Sequence, residues 1–286
     1  MNYPPSTWMS SVLSGEQQVR SETSAAAFGQ LGDLYFELKQ WDRAEVCFLE
    51  SMHLDPQNEH AAHRLVQLTA CRRPEREAVP WSTPQVADVF DRMAPTFDEQ
   101  LLHYLHYQGP AVVSRVLQQF SAGGTMLDLG CGTGLIGAAA RPFAQQLHGV
   151  DLSPRMIEMA RKREIYDELT AADLCQYLQG PAPPAHWLLA LDVLVYVGPL
   201  DELFRLARQR AASQGRFLLT TELPPDDQAP LPWSWQPAAH RYAHCPAYVE
   251  QTAQAAGWRV EHQEPISLRT ERQRPVLQHL FVLQVA

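Results

Sequence analysis

No window of 18 consecutive apolar residues occurs in the chain, and Met1 to Ser14 has neither a cationic region nor an apolar one. A membrane-spanning helix and an export signal are therefore not expected. Lysine and arginine nowhere gather into a patch, and 23 cationic against 32 acidic side chains leave a net charge of −9. That sign repels phosphate backbones and anionic lipid, so neither nucleic acid nor membrane is an expected partner. The five cysteines (Cys47, Cys71, Cys131, Cys175, Cys245) are odd in number and show no C-x-x-C spacing. This disfavours a disulfide framework and a thiolate metal site, and fits reduced thiols in a cytoplasmic protein. The pairs His60/His63, His103/His106 and His240/His244 have no third clear ligand nearby, so no metal is expected.

What is present is a globular composition. Of 286 residues, 45% are hydrophobic and 19% charged, and 15 Gly with 22 Pro exclude both collagen-like and disordered classes. At about 150 residues per domain the length predicts two domains. Residues 24 to 70 read as helix, with no Pro before Pro56. Phe28, Leu31, Gly32, Tyr35, Ala44, Phe48 and Pro56 fall at the offsets of one tetratricopeptide repeat, which this stretch resembles. Small residues at Gly32 and Ala44 would let two helices approach while Tyr35 and Phe48 fill the seam. A lone repeat cannot cover its own apolar face, so it either caps the rest of the chain or recruits a partner, which includes self-association. The expected division is a helical, tetratricopeptide-like domain at 1–71, a Pro-punctuated linker at 72–84, and a second domain at 85–286.

From Thr125 short apolar runs alternate with helical ones. Strands are expected near 124–129, 146–151, 168–172, 186–192 and 215–221, with helices after the first three and a longer helix at 199–213. That alternation implies a parallel, doubly wound sheet. Trp258 to Ile266 and Val276 to Val285 add a terminal hairpin with one antiparallel strand, joined by the charged run L-R-T-E-R-Q-R-P.

The first strand breaks into Gly130-Cys131-Gly132-Thr133-Gly134 before a helix. Such a turn lets a ligand approach the backbone at a helix N-terminus. Spacing alone admits a dinucleotide fingerprint over Gly132, Gly134 and Gly137, with Asp151 near the ribose position. Asp128 at the strand tip decides against it, because a carboxylate there repels a pyrophosphate and attracts an ammonium. S-adenosyl-L-methionine has the ammonium and no phosphate.

The string D-L-G-C-G-T-G resembles motif I of the class I methyltransferases, and the resemblance continues over most of residues 85 to 285. It implies a mostly parallel seven-stranded Rossmann-like α/β sheet and S-adenosyl-L-methionine as cofactor. Asp128, Gly130, Gly132 and Gly134 would face its methionine part. Asp151 and Leu152 end the second strand, where a carboxylate can accept both ribose hydroxyls. Met156 would cover the adenine, or be ordinary core. Asp173 and Leu174 would hold the adenine edge, unless Asp173 merely caps a helix. Asp192, at the fourth strand tip, is assigned to the cofactor side, and Tyr196 to the wall between cofactor and acceptor. Val89 to Asp98 resembles the amphipathic helix with which many small-molecule methyltransferases cover the cofactor.

The proline-rich stretch Leu223 to Ala239, with Trp233 and Trp235, is expected to form an aromatic lid on the acceptor pocket or to be where the repeat docks, and Pro224 to Pro246 to bring Trp233, Trp235, Arg241, Tyr242 and His244 to the acceptor side. R-Y-A-H at 241–244 resembles a segment of bacterial methyltransferases with an N-terminal tetratricopeptide region. His244 is the first candidate base and Tyr242 the second. His244 could instead be structural, as a hydrogen-bonded residue at a helix start. Aromatic walls with one cation suit a flat or carboxylated small molecule as acceptor. No N-P-P-Y or D-P-P-Y follows the fourth strand, where D-V-L-V-Y stands, so methylation of exocyclic amines of nucleic acid is disfavoured.

Overall fold

The structure is a computed structural model and describes residues 24–71, 80–181, 183–225, 231–271 and 273–286. Most of the expected linker, 72–79, and residues 1–23 lie outside the described residues. Two compact units form, one holding the N-terminal helices and the other the remainder from Pro80.

In the first unit, α1 (Ala25–Glu37) starts at Ser24, whose Oγ accepts the Ala27 amide at 3.2 Å. This satisfies an end-of-helix donor that has no partner inside the helix. The chain reverses through Lys39 at φ +57° into α2 (Trp41–Leu54) and again at Asp55–Asn58 into α3 (Glu59–Cys71). The expected helical stretch thus holds the two helices of the repeat-like pattern and a third after them. Gly32 sits directly under the Phe48 ring, where a Cβ would overlap it. Phe48, Ala44 and Ala61 are wholly buried there with Leu31, Tyr35 and Phe36.

In the second unit, α4 (Thr83–Met93) opens with a capping box, Ser82 with Gln85, and leads to a helical turn at Phe97–Tyr104 and α5 (Gly109–Gln119). Then follow β1 (Thr125–Leu129), α6 (Leu135–Ala140), β2 (Gln146–Asp151), α7 (Pro154–Arg161), β3 (Glu168–Ala171), α8 (Leu174–Gln179) and β4 (Ala185–Ala190). The remainder is α9 (Asp201–Arg210), β5 (Ala211–Glu222), β6 (Trp233–Gln236), β7 (Arg241–His244), α10 (Pro246–Ala255), β8 (Trp258–Ile266) and β9 (Gln278–Val285).

The main sheet has seven strands in the order β3-β2-β1-β4-β5-β9-β8. All pairs are parallel except those of β9, which runs antiparallel to both β5 and β8. Successive side chains of a strand point to opposite faces, and here both faces are apolar, so both must be covered. Leu127, Leu129, Leu188, Phe217 and Phe281 pack on one face with Phe204 and Trp258; Met126, Leu147, Trp187, Leu218 and Leu280 pack on the other with Val113 and Leu117. Each such buried side chain stabilises the fold by roughly 1.5–3 kcal/mol.

One expectation is corrected. The helix expected to run to residue 213 ends at Arg210, because Ala211 already pairs with Ala185, and a register shift with Gln214 at φ +60° absorbs the extra residues. The aromatic segment holds a two-stranded antiparallel ribbon, β6 with β7. Strands β1 to β5 and β8 run in one direction, so their C-terminal ends share one edge, and the order reversal between β1 and β4 marks the place along it where doubly wound sheets bind their ligands.

Candidate active site

The β1–α6 turn needs glycine twice over. Gly130, Gly132 and Gly134 have φ of +70°, +53° and +92°, a region that side chains rarely enter. A Cβ on Gly130 would also overlap Val193, whereas over Gly132 the nearest atom is on the Phe97 ring at 3.6 Å. Asp151, at the end of β2, braces the turn: one carboxylate oxygen accepts the Gly132 amide at 2.8 Å and the other the Ser153 amide at 2.9 Å. Burial pushes its pKa up.

Asp128 is buried to 99% and accepts a hydrogen bond from the Tyr166 hydroxyl at 2.7 Å. Burial first of all pushes its pKa up to about 7, and the charge of Asp151 adds to this, while Tyr166 and the Gly137 amide oppose it. None of these partners is a cation. A buried carboxylate in this state is a receptor for a positive group. Tyr166 reaches it because Gly137 and Gly149 leave room, since a Cβ on either would overlap its ring. The third glycine of the apparent dinucleotide fingerprint therefore serves Tyr166, a residue the sequence reading missed.

The segment before the sheet closes over this turn. Asp91 of α4 accepts from Ser153 Oγ at 2.5 Å and from the Arg155 amide at 3.1 Å. Asp98 accepts from Thr133 Oγ1 and is ion-paired to Arg163, which also donates to the Thr133 carbonyl at 2.6 Å. Phe90 stands edge-on to Phe97 at 6.0 Å and to Tyr196 at 5.2 Å.

The other expected site residues divide. Asp173 is a helix cap, its Oδ1 accepting the Cys175 and Gln176 amides, with Leu174 the first residue of α8. Met156 is wholly buried, one turn beyond the Asp151–Leu152 strand end. Asp192 does not address the glycine turn. Its carboxylate is paired with Arg269 and accepts from Gln278 Nε2 at 2.9 Å, because φ of +60° turns it toward β9. Tyr196 is half-buried, its pKa pushed up to about 12 by desolvation, beside Arg241, Arg269, Asp192 and Glu222.

The five residues expected to line one pocket are split by the ribbon. Pairing sets Trp233 opposite His244 and Trp235 opposite Tyr242, so these four share one face, and Arg241 lies on the other. Tyr242 packs edge-on against both tryptophans, at 5.6 and 5.0 Å. His244 is completely buried, bonds through Nε2 to the Gly198 carbonyl at 2.7 Å and stacks on Tyr248. Burial lowers its pKa. The first candidate base is thus a buried side chain held between the Gly198 carbonyl and the Tyr248 ring. Among the described residues no group of three metal-ligating side chains forms.

Together, the sheet order and the glycine turn between two acidic strand tips define the class: a Rossmann-like α/β fold of the kind found in methyltransferases. The family follows from the sequence match. Residues 101–263, more than half of the chain, match the methyltransferase domain family, and the chain belongs to it. Human methyltransferase-like protein 27 is 36% identical over 118 residues, 40% of this chain and 46% of that protein. The mitochondrial ubiquinone biosynthesis O-methyltransferase of Schizosaccharomyces pombe is 26% identical over 148 residues, 47% of this chain and 53% of that protein. The chain thus spans about half the length of these curated relatives. In fold it is similar to magnesium protoporphyrin IX methyltransferase from Synechocystis, solved with bound S-adenosylmethionine, at TM-score 0.54 and 17% identity over 73% of this chain and 100% of that one. The [4+2]-cyclase SpnF is equally similar, at TM-score 0.57 and 17% identity over 72% of this chain and 97% of that one. The fold by itself therefore leaves the reaction open.

Proposed function

We propose that the protein transfers a methyl group from S-adenosylmethionine to an oxygen, nitrogen or sulfur nucleophile of a small molecule. The observation that carries this reading is the buried Asp128 carboxylate beside the glycine turn, which among the described residues has no cationic hydrogen-bond or ion-pair partner. The cofactor would supply an electrophilic methyl on a positively charged sulfur. Asp128 would hold its ammonium, the Gly130–Gly134 backbone its carboxylate, and Asp151 with Leu152 its ribose hydroxyls. Met156, Asp173 and Leu174 would border its adenine. Asp91 and Asp98 tie the covering segment down over the turn, which excludes water from the reacting centre. Methyl transfer needs little acid–base help, and most of the rate comes from holding the nucleophile about 3–3.5 Å from the methyl. Tyr196, between the Phe90 ring and the charges beyond, is suited to that positioning.

The front unit supports a second reading, a protein methyltransferase whose tetratricopeptide-like helices, residues 25–58, recruit a polypeptide. The observation favouring it is Val46, Leu49 and Leu54 exposed along α2. Reduced thiols suit a cytoplasmic site; among the described residues Cys47, Cys131, Cys175 and Cys245 are free. The test is to incubate the protein with S-adenosylmethionine carrying a deuterated methyl group and a metabolite or protein extract. Label in a small molecule supports the first reading, label in a polypeptide supports the second, and label in neither contradicts both.

A further inference from the structure

Beyond the glycine turn, five charged side chains gather from distant parts of the chain. Asp192 follows β4, Glu222 ends β5, Arg241 begins β7, and Arg269 and Glu271 lie between β8 and β9. Arg269 is shared by three carboxylates, pairing with Asp192 and Glu222 and, through Nε at 3.2 Å, with Glu271. Arg241 bridges Glu222 and Glu271, at 2.8 Å each. Its centre is nearly dry, with Glu222 7% and Arg269 5% exposed, while the Glu271 side chain at its rim is 37% exposed. Two guanidinium groups against three carboxylates sum to one negative charge.

Each nitrogen of the Arg269 guanidinium is already engaged. Among the described residues, Glu222 Oε2 and Asp192 Oδ2 receive no hydrogen bond. On the donor side Arg241 Nε is ion-paired with Glu222 but makes no hydrogen bond, so the preference of the cluster is set by its charge sum, which stays negative. Asp192 holds a left-handed φ of +60°, a conformation that persists where its surroundings enforce it and that gathers at binding sites.

The cluster begins where the glycine turn ends. Tyr196 lies in the field of Arg241, Arg269, Asp192 and Glu222, and its ring meets Phe90, which meets Phe97 over Gly132. On the other side the buried Tyr107 feels both Asp192 and Asp128.

We propose that this cluster recognises the methyl acceptor, and that it selects an amine or hydroxyl compound and rejects a carboxylate; this rests on the methyl-transfer reading above. An ammonium or hydroxyl can donate to Glu222 Oε2 and Asp192 Oδ2 without breaking an existing bond. A carboxylate would double the negative charge in a buried site, and reaching Arg269 would mean displacing one of its three partners. The proposal departs from the expectation of a flat or carboxylated acceptor, drawn from Arg241 as the one cation, because Arg241 is ion-paired with two carboxylates.

The test uses the full chain saturated with S-adenosylhomocysteine, titrated calorimetrically with tyramine and with 4-hydroxyphenylacetate, which share a phenol ring and carry opposite charges. Tyramine should bind at least tenfold more tightly, and the preference should shrink below threefold in Glu222→Gln and in Asp192→Asn. Thermal unfolding reports whether each variant folds; if Glu222→Gln does not, Asp192→Asn carries the comparison. Equal binding, preference for the carboxylate, no saturable binding of tyramine, or an unchanged preference in a folded variant overturns the proposal. The preliminary titration separates the two claims, since failure to saturate with S-adenosylhomocysteine removes the methyl-transfer reading itself.

Discussion

Replacing Asp128 by Asn should make the protein without cofactor more stable at neutral pH and a poorer binder of cofactor. Burial raises this carboxyl from 3.8 to about 7 in the folded state. Between those values the folded protein binds more protons than the unfolded one, so this group's contribution to stability falls as pH rises from about 4 to 7 and is flat above. Three units correspond to roughly 4 kcal/mol. Asn cannot ionise, yet its oxygen can accept the Gly137 amide and its amide can donate to the Tyr166 hydroxyl, so no buried polar group is orphaned. Urea unfolding from pH 4 to 8 should show the stability of Asp128→Asn minus wild type rising by roughly 4 kcal/mol, with the difference at pH 8 the most positive. S-adenosylhomocysteine should narrow it, because its ammonium compensates the ionised Asp128. At pH 6 its binding to wild type should release most of a proton, measured as calorimetric heats in buffers of different ionisation enthalpy. A pH-independent stability difference together with no proton release at pH 6 would refute the reasoning.

Gly130→Ala should leave little folded protein, since its Cβ would strike Val193 at a positive φ, whereas Gly132→Ala should fold and bind cofactor weakly; circular dichroism and titration separate the two. Asp151→Ala should cost S-adenosylhomocysteine about 1.5–3 kcal/mol, read by calorimetry, as a charge-assisted contact is lost. His244→Ala should lower stability by about 1–3 kcal/mol while turnover per folded molecule stays within a few-fold, because the ring braces the Gly198 turn. A loss of 10²-fold or more in turnover of folded His244→Ala would restore it as a base.

Local signals in the sequence carried far. The tips of β1 and β2, with Asp128, Asp151 and three glycines, were legible because strand, turn and helix are contiguous there. The cluster around Arg269 was not, since Asp192 and Arg269 stand 77 residues apart and meet only because β9 and β8 fold back beside β5. The run L-R-T-E-R reads as a charged turn until the topology brings it to the ligand edge. Tyr166 was hidden for the same reason, reaching Asp128 from across β2 through the gaps at Gly137 and Gly149. In W-S-W-Q and R-Y-A-H the period of two was visible, but the prolines around it point to loop, and without strands there was no ground to put Arg241 and His244 on opposite faces.

The central claim, that the glycine turn between Asp128 and Asp151 receives an ammonium-bearing nucleoside and no pyrophosphate, is tested most directly by parallel calorimetric titrations of the full chain with S-adenosylhomocysteine and with NAD. Saturable binding of S-adenosylhomocysteine at one per chain, weakened at least tenfold in Asp128→Asn, with no heat of binding for NAD, is the predicted result. Tight binding of NAD with none of S-adenosylhomocysteine would contradict it.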